Sequence, residues 1–173
     1  MDFELNEDQQ GLKDLAASFA AKEIAPHADR WSEEERFPVE LFRHMGKLGL
    51  LGLLVPQEYG GSEAGMVAYV AAMEEIGAAD QSVAAAWNAH ITIASLPLLA
   101  FGTEEQKQRW LRPLAEGTAL GAFGLTEPEA GSDAASIRTR ARRDGTDWVI
   151  DGTKMFITNA GTEMSAGVTL LAV

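Results

Sequence analysis

Two short stretches hold the side chains that could do chemistry. The first is Phe123-Gly124-Leu125-Thr126-Glu127-Pro128-Glu129-Ala130-Gly131-Ser132-Asp133-Ala134-Ala135-Ser136. It sets the hydroxyls of Thr126 and Ser132, a turn proline, a flexible glycine and several carboxylates within one loop. Backbone amides freed by Gly131, with Thr126 and Ser132 beside them, suit phosphates or a polar heterocycle. The second is Lys154-Met155-Phe156-Ile157-Thr158-Asn159, about thirty residues on. There Phe156 offers an aromatic wall and Thr158 a hydroxyl. Taken singly, Thr-Glu-Pro and Gly-Ser-Asp are also two ordinary turns, and Phe156 also suits the core face of an amphipathic strand.

In this order and at this spacing, the two blocks resemble the signature of the acyl-CoA dehydrogenases. That pattern is a small residue, an aliphatic, Ser or Thr, Glu, then Gly-[Ser/Thr]-Asp with a small residue three further on. Gly124, Leu125, Thr126, Glu127, Gly131, Ser132, Asp133 and Ser136 match it. Lys154–Asn159 looks like the same family's second flavin contact. Many members carry Trp where Phe156 stands, and the exchange keeps the wall while losing an indole donor.

The resemblance implies FAD as cofactor, contacted by Phe123, Leu125, Thr126, Ser132, Phe156, Ile157 and Thr158. Ser132 would also contact the acyl-CoA substrate. A flavin ring needs hydrogen-bond partners at its pyrimidine edge and at N5, and apolar cover on its faces. The implied reaction is α,β-desaturation of an acyl-CoA thioester, with electrons passed to an electron-transferring flavoprotein. The family's proton-abstracting glutamate belongs to a C-terminal helical part beyond Val173, so no catalytic residue is assigned here. Glu127 and Asp133 read as acceptors that fix the loop. One wall of the family's acyl slot comes from the region matching Ala89–Leu96. Ala89, Ile93 and Leu96 suit a hydrocarbon slot, and equally suit core packing.

The elements that must position these blocks are mostly helical. Asn6 with Gln9 starts a helix carrying Leu12, Leu15, Ala16 and Phe19 inward, and Pro26 ends or kinks it. Pro38 opens a second helix with Leu41, Phe42, Met45 and Leu48 inward and Gly49 after it. Tyr59-Gly60-Gly61-Ser62 is a turn. A third helix runs over about 64–76, ended by Gly77, and a fourth over about 82–95, stopped by Pro97. Thr103 with Gln106 caps another, which carries Trp110 and Leu111.

After Gly117 the period changes. Ile137 starts a strand in which arginines alternate with Thr139 and Ala141. Asp144-Gly145 turns into Trp148-Val149-Ile150, Asp151-Gly152 turns again into a strand over 155–158, and 167–173 forms the last strand. The fold class is α+β. Residues 1–120 form an N-terminal all-α domain, and 121–173 are the first strands of an antiparallel β domain. The family's C-terminal helical domain is absent from this sequence. An N-terminal half of this kind is expected to be inactive alone and, with strand edges unpaired, to self-associate as a homo-oligomer or by exchanging elements.

Composition narrows the alternatives. Lys and Arg number 14 against 26 Asp and Glu, a net charge of −12. The excess lies mostly before residue 120 and argues against nucleic acid and anionic membranes as partners. The chain has no cysteine, which excludes disulfides and thiolate metal sites. No Glu-x-x-His, nucleophile elbow or dinucleotide-binding glycine pattern occurs, and no metal is expected. The acidic start Met1-Asp2-Phe3-Glu4 is unlike a leader. The apolar runs at 48–55 and 91–101 read as too short or interrupted to span a bilayer. A cytoplasmic protein is expected. His27, His44 and His90 are the three histidines, with Glu40 and His44 spaced as a surface pair. Asn88, His90 and Thr92 stay unassigned. Two other functions remain open: a flavin monooxygenase of the same fold, and a cofactor-free helical interaction module.

Overall fold

The computed structural model describes residues 4–173; the acidic start Met1-Asp2-Phe3 lies outside them. Helix α1 spans Glu7–Phe19 and opens on a reciprocal cap. Asn6 Oδ1 accepts the Gln9 amide at 2.9 Å, and Gln9 Oε1 accepts the Asn6 amide at 3.0 Å. A widened π turn, Ala20–Ile24, carries the helix on to buried Ile24 just before Pro26. α2 spans Ala28–Glu33. α3 spans Val39–Lys47 and buries Leu41, Phe42 and Met45. Gly49 then takes φ 75°, a left-handed turn that glycine makes without a Cβ penalty. The turn drives Leu50 and Leu51 into the core.

α4, Met66–Ala79, packs along α1. α5, Gln81–Asn88, is capped by Asp80, whose carboxylate accepts the amides of Ser82 at 2.7 Å and Val83 at 2.9 Å. Trp87 anchors the core. It is fully buried, donates its indole N–H to the Leu50 carbonyl at 3.0 Å, and meets Tyr69 edge-on. Short helices α6 (Leu96–Phe101), α7 (Glu104–Gln106) and α8 (Arg112–Ala115) close the helical region. The Thr103–Gln106 capping box is present at the start of α7.

Several local expectations change. Leu15 and Leu48 face outward: Leu15 lies off the Ala16–Phe19 stripe, and Leu48 follows the last turn of α3. Gly77 lies inside α4, because extended Asp80 terminates the helix instead. Pro97 does not stop the fourth helix. A π turn at Ala89–Ser95 precedes it, with the Leu96 amide bonded back to Ile91 and Ser95 Oγ donating to the His90 carbonyl at 2.8 Å. Such a turn widens the helix where the pyrrolidine ring would otherwise meet a carbonyl. The continuous helix Gln81–Phe101 is thus 21 residues long and holds an 18-residue stretch of mean hydropathy 1.4, enough by length and composition to cross a bilayer. Half of that stretch is buried within the fold, as in the core helix of a globular domain.

The strands are β1 (Leu120–Gly124), β2 (Arg140–Asp144), β3 (Asp147–Asp151) and β4 (Ser165–Leu170). β2 and β3 form the antiparallel hairpin, Arg140 opposite Asp151 and Arg143 opposite Trp148. β1 and β4 pair in parallel, so the strands as a whole are mixed. The long connection between β1 and β4 permits the parallel pairing, which a short hairpin forbids. Val173 ties the pairs together: its amide donates to Thr139 O at 2.9 Å and its carbonyl accepts from Ala141 at 3.0 Å. Ile137 precedes β2 rather than starting it. Residues 155–158 are not a strand, because Phe156 at φ 58° and Asn159 at φ 71° curl the chain.

Candidate functional site

Glu127 organises the loop after β1. Its own backbone closes a tight turn with Ala130, N–H to O 3.0 Å one way and 3.2 Å the other. Its side chain is buried, and its carboxylate accepts the amides of Arg138 at 2.6 Å and Thr139 at 2.9 Å. It also accepts the Lys154 ammonium at 2.8 Å. Lys154 donates again to the Leu125 carbonyl at 2.8 Å, and the Met155 amide donates to the Thr126 carbonyl at 2.9 Å. One ion pair and two main-chain contacts therefore fasten the second block onto the first. A buried pair is tolerable when its remaining donors and acceptors are satisfied in this way. The Lys154 ammonium, followed by Thr139 and the Arg138 amide, holds the Glu127 carboxyl down at about 2. A carboxylate so firmly ionised and so fully engaged is a scaffold and a poor proton acceptor.

Around this hub the singled-out residues take different positions. Phe123, Leu125 and Thr126 are half-buried, with Phe123 opposite Thr169 of β4. Ile157 is half-buried, and Thr158 is exposed. Phe156 is 81% exposed, its ring presented to solvent by the left-handed backbone beneath it. Ser132 is exposed beyond the Glu127–Ala130 turn and makes no described hydrogen bond to the second block. Asp133 fixes its own loop by accepting the Ser136 hydroxyl and, through its carbonyl, the Ser136 amide.

Thr158 lines a cleft of about 490 Å³ with Trp31, Phe37, Ser82 and Ala86. A second cavity, about 290 Å³ and largely apolar, lies between the helices and the β1–β4 pair, walled by Ala94, Leu98, Trp110, Leu114 and Val168. Of the expected slot wall, Ala89 is buried in packing, Ile93 faces outward, and Ala94 borders that cavity.

Three residues gain roles that the sequence did not reveal. Lys154 joins the blocks, as above. His90 is fully buried: Nδ1 accepts the Gly121 amide at 3.1 Å and Nε2 lies 3.2 Å from the Leu51 carbonyl. A carbonyl only accepts and an amide only donates, so the ring is neutral with its proton on Nε2. Burial pulls its pKa down to about 4, against the opposing effect of backbone hydrogen bonds. Asn159 Nδ2 donates to the carbonyls of Ala86 at 2.9 Å and Gly121 at 3.1 Å. None of these contacts has a sequence signal, since each joins residues far apart in the chain. Glu40 bonds Arg43 rather than His44, which lies beside Glu23 and edge-on to Phe19. Among the described residues no group of three or more His, Asp or Glu gathers to hold a metal.

The two blocks carry the kinds of group that a planar heteroaromatic ligand needs. Phe156 presents an open ring, and Gly131 has open space where a Cβ would stand. The hydroxyls of Thr126, Ser132 and Thr158 are not committed within the described residues.

Residues 6–118 match the acyl-CoA dehydrogenase N-terminal domain, and residues 122–173 match the acyl-CoA dehydrogenase middle domain. The chain is 48% identical over 169 residues to the probable acyl-CoA dehydrogenase YngJ of Bacillus subtilis, covering 98% of this chain and 44% of that protein. It is similar to the solved glutaryl-CoA dehydrogenase of Mycobacterium smegmatis in complex with FADH2 (TM-score 0.90, 37% identity, 97% of this chain and 43% of that one). It is also similar to a chain described under the electron transferring flavoprotein of Acidaminococcus fermentans (TM-score 0.89, 43% identity, 93% and 42%). The chain thus spans less than half the length of the relatives it matches, and over that span it belongs to the acyl-CoA dehydrogenase family.

Proposed function

We propose that this chain is the flavin-contacting N-terminal part of an FAD-dependent acyl-CoA dehydrogenase that desaturates an acyl-CoA thioester. The supporting observation is the Glu127–Lys154 bridge, which fastens the two blocks together and leaves the hydroxyls of Thr126 and Thr158 and the ring of Phe156 without a hydrogen-bond or ring partner among the described residues. When bound, FAD would supply the acceptor for the substrate's β hydride. The half-buried Phe123, Leu125 and Ile157 would give the cofactor apolar cover, and Phe156 would lie against its ring. The Thr126 and Thr158 hydroxyls would serve as hydrogen-bond partners at its polar edge, and Ser132 would reach both cofactor and acyl-CoA. Glu127 is excluded as the base by its engagement with Lys154, Arg138 and Thr139. The base is assigned instead to a glutamate outside this sequence.

In the same proposal the chain divides into a helical domain, 1–120, and part of a β domain, 121–173. Electrons leave to an electron-transferring flavoprotein, and the enzyme is assigned to the cytoplasm. The visible spectrum of the purified chain tests the cofactor assignment. Flavin bands that stay with the protein through gel filtration after FAD is added are expected. A protein that remains colourless fails the assignment of FAD binding to this chain by itself, while its family membership stands.

A further inference from the structure

Gly121 sits at the irregularity of the β1–β4 ladder. Leu120 pairs with Ser165 and Gly121 with Gly167, so the register slips between them. The residue the slip leaves over is Ala166 of β4, while Gly121 faces away from β4 by strand alternation, so its buried N–H and C=O must find other partners. At Gly121 two side chains supply them. His90 Nδ1 accepts its N–H at 3.1 Å, and Asn159 Nδ2 donates to its C=O at 3.1 Å. Both side chains are buried. Each is anchored a second time to the helical region: His90 to the Leu51 carbonyl, Asn159 to the Ala86 carbonyl in α5. The approach is too close for any larger residue, since a Cβ on Gly121 would come within 2.7 Å of Ala94 Cβ.

The location matters as much as the bonding. Gly121 lies two residues before Phe123, where the first block begins, and Asn159 is the residue on which the second ends. We propose that His90 and Asn159 are positioning residues which clamp the N–H and the C=O of Gly121 and so hold the two loop blocks in register with each other and with α5. The consequence for cofactor binding rests on the flavin assignment above; the clamp itself does not. Asn159 suits the place on two counts. Its amide can donate to two carbonyls at once, and asparagine tolerates φ 71° better than most residues.

Amide hydrogen exchange and FAD titration of the full chain test the clamp together. Asn159→Gly removes both donors while keeping the left-handed backbone unstrained. His90→Asn keeps an acceptor near Nδ1 for Gly121, whereas His90→Gln keeps a donor near Nε2 for Leu51. Ile76→Val is the control, a mild core change in α4 away from the blocks. In Asn159→Gly and His90→Gln, amides 122–127 and 155–158 are expected to exchange about tenfold faster, with α1 and α4 unchanged, and FAD to bind about tenfold more weakly. His90→Asn should stay within about threefold of the parent on both readouts. Uniform acceleration across the chain like that of Ile76→Val, or identical behaviour of His90→Asn and His90→Gln, would show ordinary core packing and overturn the proposal. If His90→Gln does not fold, Asn159→Gly decides alone, and unchanged exchange in the two blocks overturns the clamp. If the parent chain binds no FAD, the flavin assignment falls while the exchange pattern still decides the clamp.

Discussion

The helical region and the strands that follow it reach order by different routes. In the helices, apolar side chains from distant elements close over one another: Phe42, Met45, Leu50, Leu51, Ile76 and Trp87 are fully buried in one cluster. β1 shares that core through Leu120, and in the strands and loops beyond it order comes from polar fastening. The Glu127–Lys154 pair, the paired amides at Arg138 and Thr139, and the Val173 tie hold backbones in place, while Trp148, Ile150, Phe156 and Val173 stay largely exposed. The helices thus supply their own apolar cover. The strands present a rigid backbone frame with apolar faces open, as a surface meant to be covered by a ligand or another polypeptide would. Hydrophobic burial builds the first region, and an ion pair with bonded backbone amides fastens the second.

The largest expected effect falls in the helical core. Trp87→Ala should cost about 4 kcal/mol of stability in urea denaturation, through cavity formation and an orphaned Leu50 carbonyl. A loss under about 1 kcal/mol would break the contrast between the regions, since exposed positions commonly lose that much.

Acid should expose a buried titratable group that joins them. The His90 ring is neutral in the fold with a pKa of about 4, against 6.5 unfolded. As pH falls below 6.5 the unfolded chain takes up the proton first. Stability is therefore complete above that pH and is lost between about 6.5 and 4, by about 3 kcal/mol from this group. Denaturation curves across that range should show the slope in the parent and a flatter one in His90→Asn. Equal slopes would remove His90 from the account.

Lys154→Met attacks the polar hub and leaves the helical core intact. Limited proteolysis should cut within 123–136 about tenfold faster, with the helices as resistant as before. If cleavage spreads equally into the helices, the strands are not separately fastened. The same hub has its own acid limit. The Glu127 pKa is depressed to about 2, so its contribution is present above the ordinary carboxylate range and disappears as pH falls toward that value. The smallest effect belongs to Trp148→Ala. It should change stability by no more than about 0.5 kcal/mol, yet raise solubility and reduce self-association in sizing experiments. Unchanged association would shift attention to other exposed faces, such as Val173.

Much of the helical layout was legible because it depends on neighbours in sequence. The Asn6–Gln9 and Thr103–Gln106 caps, the inward Leu41-Phe42-Met45 set and the Asp144-Gly145 hairpin are local signals, and each appears in the fold. The errors came where the fold overrode a local rule. Pro97 sits inside a continuous helix because a π turn precedes it, and 155–158 curls because Phe156 and Asn159 adopt positive φ.

By itself the sequence determined the family, the α-then-β order and the two blocks, since motif spacing and periodicity are properties of consecutive residues. Only the tertiary structure decided how those blocks meet. The bonds from Lys154 to Glu127, from His90 to Gly121 and from Asn159 to Ala86 join residues 27, 31 and 73 positions apart. Such contacts follow from how the whole chain packs and from the need of each buried polar group for a partner, and no local pattern records them.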